Sequence, residues 1–593
     1  MSTRALSGEL SGSERSVASL LSQQGSRGRE IPVEEAGLLS RLTSENHDLE
    51  DYQDHASHNV LVRCLLWWLS WAMPGLGMFT NAYVLVSVGN LMPLLGIMYP
   101  NCYGGQLPPD CNTVAADSTQ TIETAGVIGG MLVIGFMADW MGRKWGSRLC
   151  TSIMLVGLTL VLSASGTASQ FLIVYLTGLC VFGVGVGGEY PMASSSAAER
   201  AEGTAEIRHK RGRTVLLVFS QQGWGNFSNV LVIIIVMAMT GATGSTISKH
   251  QANIVYRVQF SVGGFILLLL MAYRIKYLKE SKVWQQERKG VDRELNLEGD
   301  ANNASKLYFV IFRKFWPRLI ATCLSWTMSD LIFYGNKLFQ SQFIELISGS
   351  NSTLFKQMQW NLLNAFVALI GYFCAALLID NPYYGRRRMQ FVGFLMTFLL
   401  FLMQAIFYSD LIKDGNISAF QALYFLSSFF MQFGANCTTF LVAAEVFPTD
   451  VRAFFHGVSA ASGRTGTLIA TQVFPRISSQ GTFYVAAGAG FTGAVLSLLF
   501  LPDTTALNIS EIDRLNRYLV AGRVEKYHGE AVNPKFLSLY EILMGWHRAY
   551  DAIEDSAQKN LQEASKRLAE LDMAHSDECL GQNSGVLNSP NKK

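Results

Sequence analysis

The stretch "GVIGGMLVIGFMADWMGRKWGSR", residues 126–148, joins an apolar run to an abrupt charged turn. With the residues just before it, the run up to Trp140 is long enough to cross about 30 Å of hydrocarbon as a helix. Gly142 permits a tight turn between adjacent helices. Arg143, Lys144 and Arg148 mark a membrane boundary. Asp139, one helical turn before Arg143, can pair with those cations or cap a helix start.

The same alternation runs through the chain. Of 593 residues, 49% are apolar and 16% charged, against about a quarter charged in soluble proteins. The apolar residues fall into about twelve blocks of spanning length: 62–98, 120–140, 146–166, 168–196, 213–241, 254–274, 316–347, 357–380, 389–409, 418–446, 453–479 and 481–501. An all-α, multi-pass membrane protein follows. No Lys or Arg lies between Arg63 and Arg143, whereas basic clusters follow the second, fourth (Arg200, Arg208, Lys210, Arg211, Arg213) and eighth (Arg386, Arg387, Arg388) spans. The positive-inside rule then places both termini and the even-numbered loops in the cytoplasm, and a plasma-membrane location is expected.

Residues 1–60 are hydrophilic and Ser-rich and read as a disordered cytoplasmic tail. A polar linker, 276–312, separates two six-span halves, 61–275 and 313–502, and a second tail covers 503–593. Within that tail, the charged stretch 553–571 reads as a solvated helix. Nine cysteines form no metal-ligand pattern. Cys102 and Cys111 share the first outside loop, where oxidising conditions make a disulfide plausible. Asn351 and Asn416 carry glycosylation triplets on outside loops.

The halves repeat one another. Gly135-x3-Asp139-x2-Gly142-Arg143-Lys144 after the second span is echoed by Ala376-x3-Asp380-x4-Gly385-Arg386 after the eighth, and "GGEYP" (187–191) by "AEVFPTDVR" (444–452). A salt-bridged latch built from Asp139, Gly142, Arg143, Lys144, Asp380 and Arg386 could hold the halves in one conformation. This loop resembles the signature of the major facilitator superfamily. That resemblance implies twelve helices in two pseudo-symmetric six-helix bundles, with a substrate site between them.

Polar residues inside apolar spans mark the candidate site. In "SWTMSDLIFYGNKLFQ" (325–340), Trp326, Asp330 and Tyr334 recur every four residues and line one helix face. An intramembrane acid belongs at the interior or a wet cavity, where it can take and release a proton. Glu189 and Tyr190 follow the glycines 183, 185, 187 and 188. The fifth span supplies Gln221, Gln222, Trp224 and Asn226, the tenth Gln432, Asn436 and Glu445, and the eleventh Arg464.

"W-x3-D-x3-YGNKLFQ", "GGEYP", "QQGWG" and "FGANCTTFLVAAEVFPTDVRAFFHGVSAASGRTGT" (433–467) are similar to the phosphate:proton symporters of fungi and plants. The resemblance implies an anion-binding set of Tyr190, Gln222, Trp326, Asp330, Tyr334 and Asn436, with Arg464 where that family has an assisting lysine. The family's first-helix acids are replaced by Thr80-Asn81-Ala82-Tyr83, so Asp330 and Glu189 are the expected proton carriers. The E-Y-P form is shared with glycerophosphodiester permeases, which keeps larger phosphorylated or carboxylated metabolites open. A small anionic solute and protons are the expected partners, with lipid around a monomeric transport unit and no nucleic acid or cofactor. The absence of a nucleotide loop or catalytic set argues against an enzyme. A nutrient sensor signalling through its tails is the remote alternative.

Overall fold

Apolar segments in a bilayer must satisfy their backbone internally, so they fold as helices. The computed structural model describes residues 60–103, 118–202, 209–281, 284–285, 301–338, 352–413 and 416–560. Residues up to Leu66 form one unit and Trp67 onward a second; only the first turns of a helix are described in the former. No strand occurs among the described residues.

Twelve long helices follow in order: α1 (Val60–Met98), α2 (Thr119–Met141), α3 (Arg143–Ser163), α4 (Ala168–Glu202), α5 (Arg211–Met239), α6 (Lys249–Lys276), α7 (Ala301–Leu338), α8 (Leu354–Leu378), α9 (Gly385–Ile406), α10 (Ile417–Glu445), α11 (Arg452–Val473) and α12 (Ser479–Leu499). Ten contain a stretch apolar and long enough to be read as a span by composition alone. The other two, α7 and α11, have the length, at 38 and 22 residues. They carry Arg318 and Asp330, and Arg452, His456 and Arg464, all buried. These charges face protein rather than lipid, which is how a polar helix is tolerated in a membrane.

Several helices begin earlier than their hydropathy predicts. Arg143, Arg211 and Arg452 are the first residues of α3, α5 and α11, and Arg386 is the second of α9. A basic cluster reads as loop in the sequence, yet here it forms the buried first turn. The turn glycines predicted at these junctions adopt the left-handed region, Gly142 at φ 89° and Gly385 at φ 61°, which side-chain-bearing residues rarely adopt.

The glycine run of α4 serves two neighbours. A Cβ on Gly183 or Gly187 would strike the α2 backbone, and one on Gly185 the α3 backbone at Cys150. Helices that close together pack through small residues. α2 also meets α11 across the halves, where Gly135 lies against Ala453 and Gly457, and Gly457 against the Met131 carbonyl. In α10 a π-helical stretch, Met431–Asn436, interrupts the α geometry. Such single-turn insertions are frequent at functional sites.

The segment after α12 is not the free tail expected from its polarity. Helix α13 (Ser510–Val520) and the turns after it pack Leu507, Ile512, Leu515, Val532 and Phe536 onto Ile311, Phe315, Phe447 and Phe455 of the second half. The expected solvated helix is helical at 552–560 and docked. Asp555 accepts from Arg514 at 2.5 Å and pairs with Lys559 at 2.8 Å. Burial opposes charge on Asp555, but the hydrogen bonds from Lys559 and Arg514 outweigh it and hold the carboxyl below its ordinary value. A depressed carboxyl stabilises docking fully above about pH 4 and loses that contribution as pH falls through its folded value. A spin label at Ser556→Cys, an exposed position, should therefore gain mobility only on acidification below about pH 4. Mobility unchanged to low pH would remove Asp555 as the anchor.

Candidate functional site

Asp330 and Arg464 form the charged centre. Arg464 Nη1 lies 3.3 Å from Asp330 Oδ2; the residues are 3% and 4% exposed, so the pair is shielded from bulk water. The Trp326 indole also donates to the Asp330 carboxyl. The helical spacing of Trp326 and Asp330 thus does what the sequence suggests, placing donor and acid on one face of α7. The side chain of Tyr334, the third residue of that series, lies outside the described residues.

From Arg464 a polar chain runs across the molecule. Arg464 Nη2 donates to the Tyr190 hydroxyl at 2.7 Å, and Gln222 Nε2 donates to the same oxygen at 2.9 Å. The Tyr372 hydroxyl donates to Gln222 Oε1 at 2.9 Å. Asn436 Nδ2 donates to Tyr372 at 3.1 Å and to Gln432 Oε1 at 2.6 Å. The chain links α7, α11, α4, α5, α8 and α10, so it ties the first half to the second. Aromatic rings wall it: Trp326 sits 6.5 Å from Tyr190 and 5.3 Å from His456. The Arg464 guanidinium stands 5.2 Å from the Tyr190 ring centroid, within cation–π range.

Alongside lies a cavity lined by Gln222, Asn226, Tyr372, Gln432 and Phe333, with about 20 Å³ open to the centre of a water molecule. That is room for one or two waters. Any larger occupant requires the side chains to part.

Five residues expected at an anion site, Tyr190, Gln222, Asp330, Asn436 and Arg464, are therefore joined by contacts, with Trp326 packed beside them. Tyr372 is an addition that sequence reading missed. A lone phenol in the apolar run of α8 carries no companion at helical spacing. Gln221 and Trp224 turn elsewhere, towards Gly75 of α1 and the Phe373 ring. Glu189, expected as the second proton carrier, does not join the chain. Arg274 of α6 grips both its oxygens, Nη1 at 2.8 Å from Oε2 and Nη2 against Oε1. A bidentate, fully buried carboxylate of this kind is already neutralised by its own cation.

A second charged assembly occupies the end carrying the basic turns. Asp139 accepts from the backbone N–H groups of Ala453 and Phe454 at 3.1 and 2.8 Å, capping α11. Asp380 does the same for α5, accepting from Gly212 and Arg213 at 3.1 and 2.7 Å. Each carboxylate of one half thus meets the positive end of a helix from the other. Arg143 links Asp139 (3.0 Å) to Glu199 (2.8 Å). Arg386 links Asp380 (2.8 Å) to Glu445 (3.0 Å). Arg211 Nε reaches Glu445 at 2.8 Å, and Arg452 stands 3.8 Å from Glu199. The internal twin of Glu445 is therefore Glu199 at the end of α4, not the Glu189 suggested by the echo of "GGEYP" in "AEVFP". Lys144 contributes its backbone N–H to Glu280, 3.2 Å away, and Gly142 its turn. Cys102 is disulfide-bonded, while its expected partner Cys111 lies outside the described residues, as does Asn351. Asn416 is exposed at the start of α10.

Comparison with known proteins bears on this architecture. The pattern of the family described as "Sugar (and other) transporter" matches residues 113–515. The chain belongs to that family. Among curated relatives of this transporter, "Inorganic phosphate transporter 1-6" of Oryza sativa subsp. japonica is 29% identical over 435 residues, covering 66% of the chain and 79% of the relative. "Low affinity inorganic phosphate transporter 1" of Petunia hybrida is 28% identical over 441 residues, with the same coverage. The structure of the major facilitator proton:xylose symporter XylE bound to 6-bromo-6-deoxy-D-glucose superposes with a TM-score of 0.59 at 15% identity, covering 75% of the transporter and 97% of XylE. A partially occluded, inward-open form of XylE from E. coli gives 0.53 at 16% identity. At such identities the likeness speaks for the fold: twelve helices in two pseudo-symmetric six-helix bundles, the major facilitator architecture.

Proposed function

We propose that this transporter carries inorganic phosphate inward together with protons, by alternating access between its two halves. The observation that carries the reading is the polar chain in which Asp330 pairs with Arg464, and hydrogen bonds then run from Arg464 through Tyr190, Gln222, Tyr372 and Asn436 to Gln432, drawing on both halves. Phenol, amide and indole donors around an arginine suit a tetrahedral oxyanion. The relatives named as phosphate transporters support phosphate as the cargo. The basic turns support a cytoplasmic position for the latched end, with both termini on that side. The structure is then latched on the cytoplasmic side, and the candidate site opens next to the outside.

The Asp330–Arg464 pair suggests how a proton and an anion are exchanged. Two unit charges 3.3 Å apart attract by about 5 kcal/mol at an effective dielectric near 20. While Asp330 is ionised it holds Arg464 and competes with an incoming anion. A proton from the outside on the Asp330 carboxyl releases the guanidinium to bind phosphate, and the neutral, loaded centre permits the halves to rock. Once the latch has parted, Asp330 gives its proton to cytoplasmic water and recaptures Arg464, and the anion leaves. About 5 kcal/mol is some three to four decades in affinity, enough to separate loading from release. The latch residues Asp139, Gly142, Arg143, Asp380 and Arg386 serve as the gate of the cycle.

Proteoliposomes test this directly. Labelled phosphate should accumulate against its gradient only while the outside is more acidic, and a protonophore should abolish accumulation. Phosphate entry indifferent to the proton gradient would end the coupled reading. Competition by a glycerophosphodiester or dicarboxylate stronger than by phosphate itself would transfer the site to that cargo.

A further inference from the structure

α2 holds a buried acid that the mechanism so far leaves unused. Glu123, one turn into the helix, is 5% exposed, and its Oε1 has no hydrogen-bond partner among the described residues. A carboxylate oxygen buried without a donor is rare, because burial of an unpaired polar group is costly. An intramembrane acid of this kind points to a proton or ion pathway.

Its position follows from the packing of α2 on α11. Gly457 lies against the Met131 carbonyl, and Gly135 against Ala453 and Gly457, which sets the two helices antiparallel with position 131 level with 457. About two turns further along this register, position 123 comes level with Arg464 and Thr465. Arg464 is indeed the charge that bears on Glu123. From the other side, α4 closes on Glu123 through Gly183, whose added Cβ would strike the Glu123 carbonyl. α4 also brings Tyr175, a fully buried phenol whose hydroxyl is likewise unpartnered among the described residues and senses the charge of Glu123. Tyr103, on the short helix after α1, bears in turn on Tyr175.

Two carboxylates therefore flank one guanidinium: Asp330 in direct contact, and Glu123 on the facing helix at the level of Arg464. We propose that Glu123 is a second proton-carrying acid of the transport site, protonated from the outside together with Asp330 when an anion takes Arg464. This rests on the phosphate–proton reading above and adds to it. An anion drawn to Arg464 leaves both carboxylates without their cation, and each regains neutrality only by taking a proton. Hydronium at the outer face gives its proton to a Glu123 oxygen and leaves water. After the halves rock, the proton returns to cytoplasmic water while Arg464 is recaptured. Glu189 is held by a cation of its own, Arg274, and does not touch Arg464 or its chain. A monovalent phosphate then enters with two protons and carries net positive charge inward, whereas one proton would make transport electroneutral.

The decisive measurement is the proton-to-phosphate ratio in proteoliposomes, read from a lumenal pH dye and labelled phosphate in the same sample. Wild type should show a ratio set by two acids and uptake stimulated by an inside-negative potassium-diffusion potential. Glu123→Gln should lose one proton per phosphate and with it the voltage stimulation, while Glu123→Asp restores both. If the Gln variant carries no flux, the same count comes from the protons taken up when phosphate is added to purified protein in weakly buffered detergent. A wild-type ratio and wild-type voltage response in Glu123→Gln would overturn the assignment and leave the coupled reading standing. Wild-type protein that moves phosphate without protons removes the coupled reading itself, and the role of Glu123 falls with it.

Discussion

Replacing Arg464 by Ala is expected to lower proton-driven phosphate uptake by roughly two to three orders of magnitude. The guanidinium lies 3.3 Å from Asp330 and donates to Tyr190 at 2.7 Å, so its loss strands the carboxylate it touches, Asp330, and unties the chain at its centre. Removing one partner of a buried pair costs about 3–5 kcal/mol. Stability and transport are separable here. The double variant Arg464→Ala, Asp330→Asn removes both charges, so its thermal midpoint should recover towards wild type although uptake does not. Arg464→Lys keeps the charge but loses the planar fork that serves Asp330 and Tyr190 together, and uptake between the two extremes is expected. Midpoints by intrinsic fluorescence and initial rates with labelled phosphate would decide. Near-normal uptake by Arg464→Ala would show that the anion is held elsewhere.

The second large effect concerns the latch. Glu445 accepts from Arg386 and Arg211, with Nε distances of 3.0 and 2.8 Å, and is fully buried. Glu445→Gln leaves two buried cations facing an amide, and a loss of about 3–5 kcal/mol from the latched conformation is expected. A change of that size moves a two-state equilibrium by two orders of magnitude or more. The backbone N–H groups of Gly212, Arg213, Ala453 and Phe454, which are closed onto Asp380 and Asp139, should exchange with deuterium faster. Backbone amides far from the latch, such as that of Tyr256 within α6, whose side chain meets Val161 at the opposite end of α3 from Arg143, should exchange as in wild type. Unchanged exchange at all four latch amides would mean that these ion pairs do not hold the halves together.

Which of these residues could be read from sequence follows a physical rule. Asp330, Arg464, Gln222 and Asn436 are conspicuous because a charge or amide inside an apolar span is costly unless it has a partner. Asp139 and Asp380 are conspicuous because they recur beside a glycine and a basic run. Tyr372 and Glu123 are not conspicuous. A phenol is at home in an apolar helix, and an acid near the end of a span reads as a membrane-boundary residue rather than an interior one. The latch partners Glu199, Arg211 and Arg452 were hidden for a different reason. Their bonds cross between helices far apart in the chain, and local spacing carries no trace of that. Glu189 shows the opposite hazard: a motif drew attention to it, while its partner Arg274 lies 85 positions away. The start of α3 three residues ahead of its hydropathy block has the same origin, since Arg143 is matched by carboxylates and need not remain in water.

The π-helical turn of α10 sets the aim of the amides beside it. Gln432 and Asn436 are four apart in sequence and share a hydrogen bond of 2.6 Å, yet the stretch between them winds more slowly than an α-helix. One residue of an α-helix turns the chain by about 100°. Were this slack to migrate along α10 by a few positions, Asn436 would swing away from Tyr372 while the rest of the helix kept its place. The one irregular turn of α10 thus lies at the depth of the amide cluster, so a shift of it would re-aim Asn436 without displacing the ends of the helix.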